Sequence, residues 1–309
     1  MRIIIGRGAA LLLAVGACAT THVQASQPVQ AAPPPDLDLH RVYTLGETYR
    51  YDLQRHYAVN GVVTSVTDAS SIHEVVGPPP LRERIRFERL SERKGGNVFD
   101  GAAAVATVPP YEVSIADDAP KGSMKLPDIS GIDKQMTSWV TDLHTFLVAV
   151  FPQAGVRQLH RVGDVHVVPE PKIGDWGNTA SASVGQDAIQ ITYRLVGLTD
   201  TTATIETSFE PPAEQRLMLQ RPWMERPVVP GTVNNFQQVQ KAADGFGAIW
   251  GVERFVVKAQ VRRSDGRIEH ASMDNPLTLR SKGGCDESLT KCAYEAPVTL
   301  RRTIEMTLR

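Results

Sequence analysis

Apolar and polar residues alternate with period two over most of the chain, and one stretch departs from that rhythm. Ile132, Met136, Trp139, Val140, Leu143, Phe146, Leu147 and Val150 recur at the spacing of one helix face. Asp133, Lys134, Gln135, Ser138, Thr141, Asp142 and Thr145 fall opposite. The spacing predicts one long amphipathic helix over 131–151. Ser130 stands at its N-cap, Asp133 lies at the positive end of its dipole, and Pro152 and Gly155 stop it.

The strands read as follows. Tyr49, Tyr51, Leu53 and Tyr57 alternate with Arg50, Asp52, Gln54 and His56, and Asn60-Gly61 predicts a type I′ hairpin into Val62–Val66. Ser71–Val76 and Leu81–Ser91 follow, the latter with a charged outer row of Arg82, Arg84, Arg86 and Glu88. Residues 98–127 break into short strands. Beyond the helix, 159–168 reads as a strand, 174–178 as a loop, and 190–196 with 202–209 as a hairpin. Asn235–Ala243 reads as a short helix capped by Asn234, and Gly245-Phe246-Gly247 as a loop. Phe255–Arg262 pairs with Ile268–Met273 across Asp265-Gly266, and Val298–Leu308 is a final strict alternation. The fold class is therefore mainly β: a large curved antiparallel sheet, half-barrel or open barrel, wrapped around one long helix. The alternative is a β-sandwich with that helix across one end.

Two inward positions are out of character. Arg55 falls in the apolar series of Tyr49 to Tyr57, and Arg302 in that of Val298 to Leu308. A buried guanidinium needs a partner. Either each faces a cavity and meets an anionic head group, or each pairs with an internal acid or reaches a rim. Trp223 and Met224, between prolines, read as an apolar lip or as a loop over the core.

The formal net charge of −1 argues against a nucleic-acid partner, which requires a basic face. Arg2, Arg7 and the apolar run Ala9–Ala17 form a secretory signal over 1–17, too short to span a bilayer as a helix. Residues 18–40, rich in Ala, Gln, Pro and Thr, read as a tether, and 41–309 as a single β-rich domain. Of three cysteines, Cys285 and Cys292 lie seven apart and are placed to close a loop in an oxidising compartment, which leaves Cys18. Two cysteines without neighbouring histidines fall short of a zinc set. His73-Glu74 opens like a zincin motif, but Gly77 occupies the place of the second histidine. His160 and His166 stand about 20 Å apart along an extended strand. No motif implies a cofactor.

Val15-Gly16-Ala17-Cys18 resembles the lipobox of bacterial lipoproteins. That resemblance implies acylation of Cys18, a membrane partner through the lipid anchor, and a periplasm-facing location; cleavage after Ala25 is the alternative. The layout from 41 to 309 resembles the half-barrel lipid carriers of bacterial envelopes, of the lipoprotein-carrier type. In those proteins a curved sheet wraps helices and leaves an apolar cavity. The resemblance rests on architecture and carries no residue role. It implies a non-catalytic lipoprotein that binds a lipid or other apolar molecule, with Trp139, Leu143, Phe146, Arg55, Arg302, Trp223 and Met224 as candidate ligand-binding residues. A structural lipoprotein with a filled core and a hydrolase of unrecognised type are the alternatives.

Overall fold

The backbone pairing of β-residues decides the architecture. The computed structural model describes residues 37, 39, 41–79, 81–114, 131–133, 136–140, 142–143, 158–167, 172–178, 182–189, 191–210, 234–243 and 245–309. They belong to the unit Asp36–Arg309. Fifteen strands form one open, antiparallel sheet: β1 (Thr48–Val59), β2 (Val62–Val76), β3 (Arg82–Lys94), β4 (Asn97–Asp100), β5 (Tyr111–Ser114), β6 (Val165–Val167), β7 (Lys172–Asn178), β8 (Ala182–Ile189), β9 (Ile191–Leu198), β10 (Thr202–Phe209), β11 (Phe236–Ala242), β12 (Gly245–Glu253), β13 (Phe255–Arg262), β14 (Ile268–Cys285) and β15 (Tyr294–Leu308).

β4, β3, β2, β1, β15 and β14 lie side by side. At β14 the sheet forks. Its first half, from Ile268 to Asp274, pairs with β13, and its second half, from Leu277 to Cys285, pairs with β12. One arm continues β12-β11-β8-β7; the other runs β13-β10-β9-β6. Only β15 follows β14 through both halves.

Period-two burial sorts the faces. Tyr49, Tyr51 and Leu53 of β1, Ile85 and Phe87 of β3, Ile304 and Met306 of β15, Ala271 and Met273 of β14, and Val257 and Ala259 of β13 belong to one core cluster. A bulge opposite Ser70/Ser71 adds a residue to β3, so that Leu90 turns inward after Phe87. A smaller cluster, Val239, Ala248, Trp250, Cys285 and Leu289, sits at the far end of β12. The Cys285–Cys292 disulfide closes the loop over it. Leu289 holds φ = 59° there and buries its side chain in that cluster. Asp286 ties the loop: its carboxylate accepts from the amides of Lys291 and Thr290 and the hydroxyls of Ser288 and Thr290, bonds that pull its pKa down to about 2.

The expected hairpin at Asn60-Gly61 is present, with φ of 49° and 80°. Other expectations are corrected. Asn235–Ala243 is not a helix: Phe236–Ala242 is β11, hydrogen-bonded to β12 on one side and β8 on the other, so sheet pairing satisfies its backbone. Residues 174–178 are part of β7 rather than a loop, and Gly245-Phe246-Gly247 opens β12. Among the described residues of 159–168, which end at 167, only Val165–Val167 is strand; ahead of it the Asp164 carboxylate accepts from the amides of His160 and Arg161 and bends the chain. Within 98–114 lie β4, a short helix α1 (Ala102–Val105) and β5.

The long helix over 131–151 is not shown. Among the described residues there, helix is confined to 136–140 and 142–143, and 144–151 lie outside them. Thr137 N donates to Asp133 O, and the Asp133 amide donates to the Thr107 hydroxyl. Residues 131–133 are not helical, and Ser130, read as the N-cap, lies outside the described residues. Of its expected apolar face, Met136, Trp139, Val140 and Leu143 are buried in the core cluster of the sheet and Ile132 is half-buried, while Phe146, Leu147 and Val150 lie outside the described residues.

Just before the fork, Gly251 holds φ = 152°. A Cβ there would lie 2.3 Å from the Thr278 carbonyl oxygen and 2.8 Å from Leu279 Cα. Both are backbone atoms of the paired strand and cannot swing aside. Gly251→Ala is therefore expected to cost about 2–3 kcal/mol, read as a lowered urea midpoint at unchanged slope.

Candidate functional site

Where the inner helix meets the fork, charges enter the core. Arg55, on β1, points inward between Leu53 and Tyr57. Its Nη1 donates to Asp142 Oδ2 at 2.6 Å and to Ser138 Oγ at 3.2 Å. Its guanidinium lies 4.3 Å from the centre of the Trp139 ring. Arg302, on β15, donates to the other oxygen of Asp142, to Glu253 Oε1 at 2.9 Å and to Asn275 Oδ1 at 2.7 Å. Asn275 in turn donates to Glu253 Oε1 at 2.9 Å and to the Arg254 carbonyl at 2.7 Å. Asn235 closes the set, exchanging two hydrogen bonds with the Glu253 backbone.

Two arginines thus face two carboxylates, and the formal charges cancel. The balance matters because Asp142 and Glu253 keep only 5% and 2% of their side-chain surface, and an unmatched charge at that depth is prohibitive. Burial drives Glu253 above its ordinary pKa, outweighing Arg302 and Asn275, which pull it down. Burial would lower the Arg302 guanidinium, but Asp142 and Glu253 more than offset that and raise it. Arg302 retains 24% of its side-chain surface, so the network reaches solvent there.

Several buried polar atoms around Arg55 have no hydrogen-bond partner: Arg55 Nε, Trp139 Nε1 and the Thr67 hydroxyl. Thr67 stands directly opposite Arg55 in the β1–β2 register. Glu253 Oε2 is unpartnered at the other end of the network.

A second polar cluster lies on the same face toward β3. The hydroxyl of Ser71 is 3.0 Å from His73 Nε2, and His73 Nδ1 is 3.0 Å from Glu83 Oε2. The Tyr49 hydroxyl donates to Glu83 Oε1. Tyr49 stacks on the imidazole and Tyr51 meets it edge-on. Burial, then the Glu83 charge, push the Tyr49 hydroxyl well above its ordinary pKa, so it stays a donor. The order serine, histidine, carboxylate is that of an acyl-transfer triad. Ser71, His73 and Glu83 are all buried, however, with Ser71 flanked across its strand pairs by Tyr51 and Phe87. The Ser71 hydroxyl is already partnered by His73, and both oxygens of Glu83 are engaged, so the cluster is a satisfied buried network. Its signal was in the sequence: Ser71 and His73 are two apart on one strand face, and Glu83 is the inward residue among the outward charges of β3.

Of the sequence candidates, Trp139, Leu143, Arg55 and Arg302 come together. Cys18, Phe146, Trp223 and Met224 lie outside the described residues. Asp142, assigned to the polar helix face, is instead buried between the two arginines, because a carboxylate that answers two inward cations is drawn into the core. His160 is exposed and His166 half-buried.

No family model and no curated protein matches the chain. Among solved structures, a lipovitellin described for its lipid–protein interactions overlaps 87% of this chain and 25% of its own, at 11% identity and a TM-score of 0.39. The outer membrane protein OmpT of Vibrio cholerae overlaps 85% of this chain and 98% of its own, at 7% identity and a TM-score of 0.16. This chain thus spans a quarter of the lipovitellin, and neither overlap is close enough to carry a function across.

Removing Asp142 leaves Arg55 without its carboxylate, and Arg302 with Glu253 alone. Asp142→Ala is expected to cost about 3–5 kcal/mol in urea unfolding. Glu253 gives a pH signature. Its folded pKa is raised, so its contribution to stability is fully present below the unfolded value and is lost as pH rises through the folded one. Wild-type protein should therefore lose stability relative to Glu253→Gln as pH rises above the ordinary carboxylate range, measured as the difference of the two unfolding free energies at each pH.

Proposed function

We propose that this protein is an exported lipoprotein, anchored through Cys18, that binds an amphiphile on the core face of its open sheet and performs no catalysis. The observation that carries the reading is a group of buried, unpartnered polar atoms, Arg55 Nε, Trp139 Nε1 and Thr67 Oγ1, beside the apolar core cluster of the sheet. Native interiors rarely leave such atoms unmet. An acyl chain lies along that wall beside Leu143, gaining about 0.8 kcal/mol per buried methylene. Its polar end sits by Arg55 and Trp139, with Arg302 at the solvent side. Phe146, Trp223 and Met224 are the further residues assigned to the acyl chain's contacts in this reading.

A second reading, a structural lipoprotein with a filled core, draws on the complete burial of Met136, Trp139, Val140 and Leu143 against the sheet. Native mass spectrometry of protein extracted from membranes separates the two. The amphiphile reading expects a co-purifying mass in the lipid range that is depleted in the Trp223→Ala variant. Protein that emerges without adduct, and takes up no acyl compound at micromolar concentration, favours the filled core.

A further inference from the structure

We infer that the head of the bound amphiphile is an uncharged carbonyl, an ester or an amide, rather than an anionic group; this rests on the amphiphile reading above. Paired charges carry the inference. An arginine on an apolar wall is ordinarily a receptor for a carboxylate or phosphate. Here both guanidinium groups are already answered from within: Arg55 by Asp142 at 2.6 Å, Arg302 by Asp142 and by Glu253 at 2.9 Å. A ligand anion would enter beside the Asp142 carboxylate, lose its hydration, and find no net positive charge to compensate.

What remains free around Arg55 is directional and neutral in its demand. Arg55 Nε and Trp139 Nε1 each offer one N–H, and the Arg55 guanidinium lies 4.3 Å from the centre of the Trp139 ring. A carbonyl oxygen has two lone pairs and accepts two such bonds. Thr67 Oγ1, opposite Arg55 across the β1–β2 pair, either gives a third hydrogen or accepts one. An amide N–H or an ester's neighbouring hydroxyl suits it. Ester and amide share the carbonyl that the two donors require, and the Thr67 contact distinguishes them.

The test uses full-length protein, stripped of bound lipid, titrated at neutral pH with palmitamide, monopalmitin and palmitate against a displaceable fluorescent acyl probe. Palmitamide or monopalmitin should bind about tenfold more tightly than palmitate. Trp139→Phe deletes one donor and keeps an aromatic ring over which Arg55 can lie. It should weaken the neutral ligands five- to tenfold, the loss of one buried hydrogen bond, and leave palmitate nearly unchanged. Thr67→Val, nearly isosteric, supplies a second variant should Trp139→Phe fail to fold. It should weaken palmitamide and monopalmitin unequally. Palmitate binding as tightly as the neutral ligands, or neutral binding indifferent to both variants, overturns the carbonyl assignment while leaving an amphiphile site intact. Failure of all three compounds to displace the probe or stabilise the protein overturns the amphiphile reading and this one with it.

Discussion

Asp142 between Arg55 and Arg302 is the contact on which the remainder depends. It joins three elements that sequence separates widely: β1, the inner helix and β15. Apolar contact would hold a helix against a sheet in many orientations, since hydrophobic burial is non-directional. Two guanidinium groups on one carboxylate allow few. The ion pairs fix which turn of the helix faces which strands, and Trp139 under Arg55 fixes its rotation. Such a triad contributes orientation more surely than net stability, because desolvation offsets most of its Coulomb attraction.

The same network reaches the fork. β12 and β13 meet β14 end to end, and backbone groups at such a junction lose regular partners. The side chains of Asn235 and Asn275 stand in: Asn275 donates to the Arg254 carbonyl, and Asn235 receives the Glu253 amide. Glu253 then links the junction to Arg302. Branch point and helix seat are thus one connected set of hydrogen bonds, and a change at either is felt at both.

Much of this was legible in the alternation of residues. β1, β10, β13 and β15 and the Asn60-Gly61 turn follow the sequence pattern closely, as do the four buried helix residues, whereas the two strands expected over Val62–Val66 and Ser71–Val76 are one continuous β2, Val62–Val76. Asn235–Ala243 misled because Phe236, Val239 and Ala243 fall at i, i+3 and i+7, a helical spacing, in a run otherwise made of glutamine and lysine. Only pairing on both sides, a non-local fact, makes it a strand. Asp142 misled for a related reason. On a helical wheel it belongs with the polar residues, and its burial follows from cations on strands far along the chain. The counter-signal was present: two arginines in inward series require two internal acids. Glu83, an inward residue of β3, was visible by parity, yet a glutamate in a strand reads as solvent-facing until its neighbours are known; Glu253 was not, because the opening of β12 reads as a loop.

The division of β14 has a consequence for how the molecule loosens. Among the described residues each arm is paired to half of a single strand, and the two ladders meet only through that strand and β15. The ladder of one arm can therefore open without breaking backbone pairs in the other, and the sheet divides into two cooperative units that meet in a common spine. The arms are not equivalent. At the far end of β14 the cross-link between Cys285 and Cys292 holds a loop over Trp250 and Val239, a clasp that survives when the surrounding ladder frays. Reduction of that cross-link removes the clasp from one arm and leaves the other as it was.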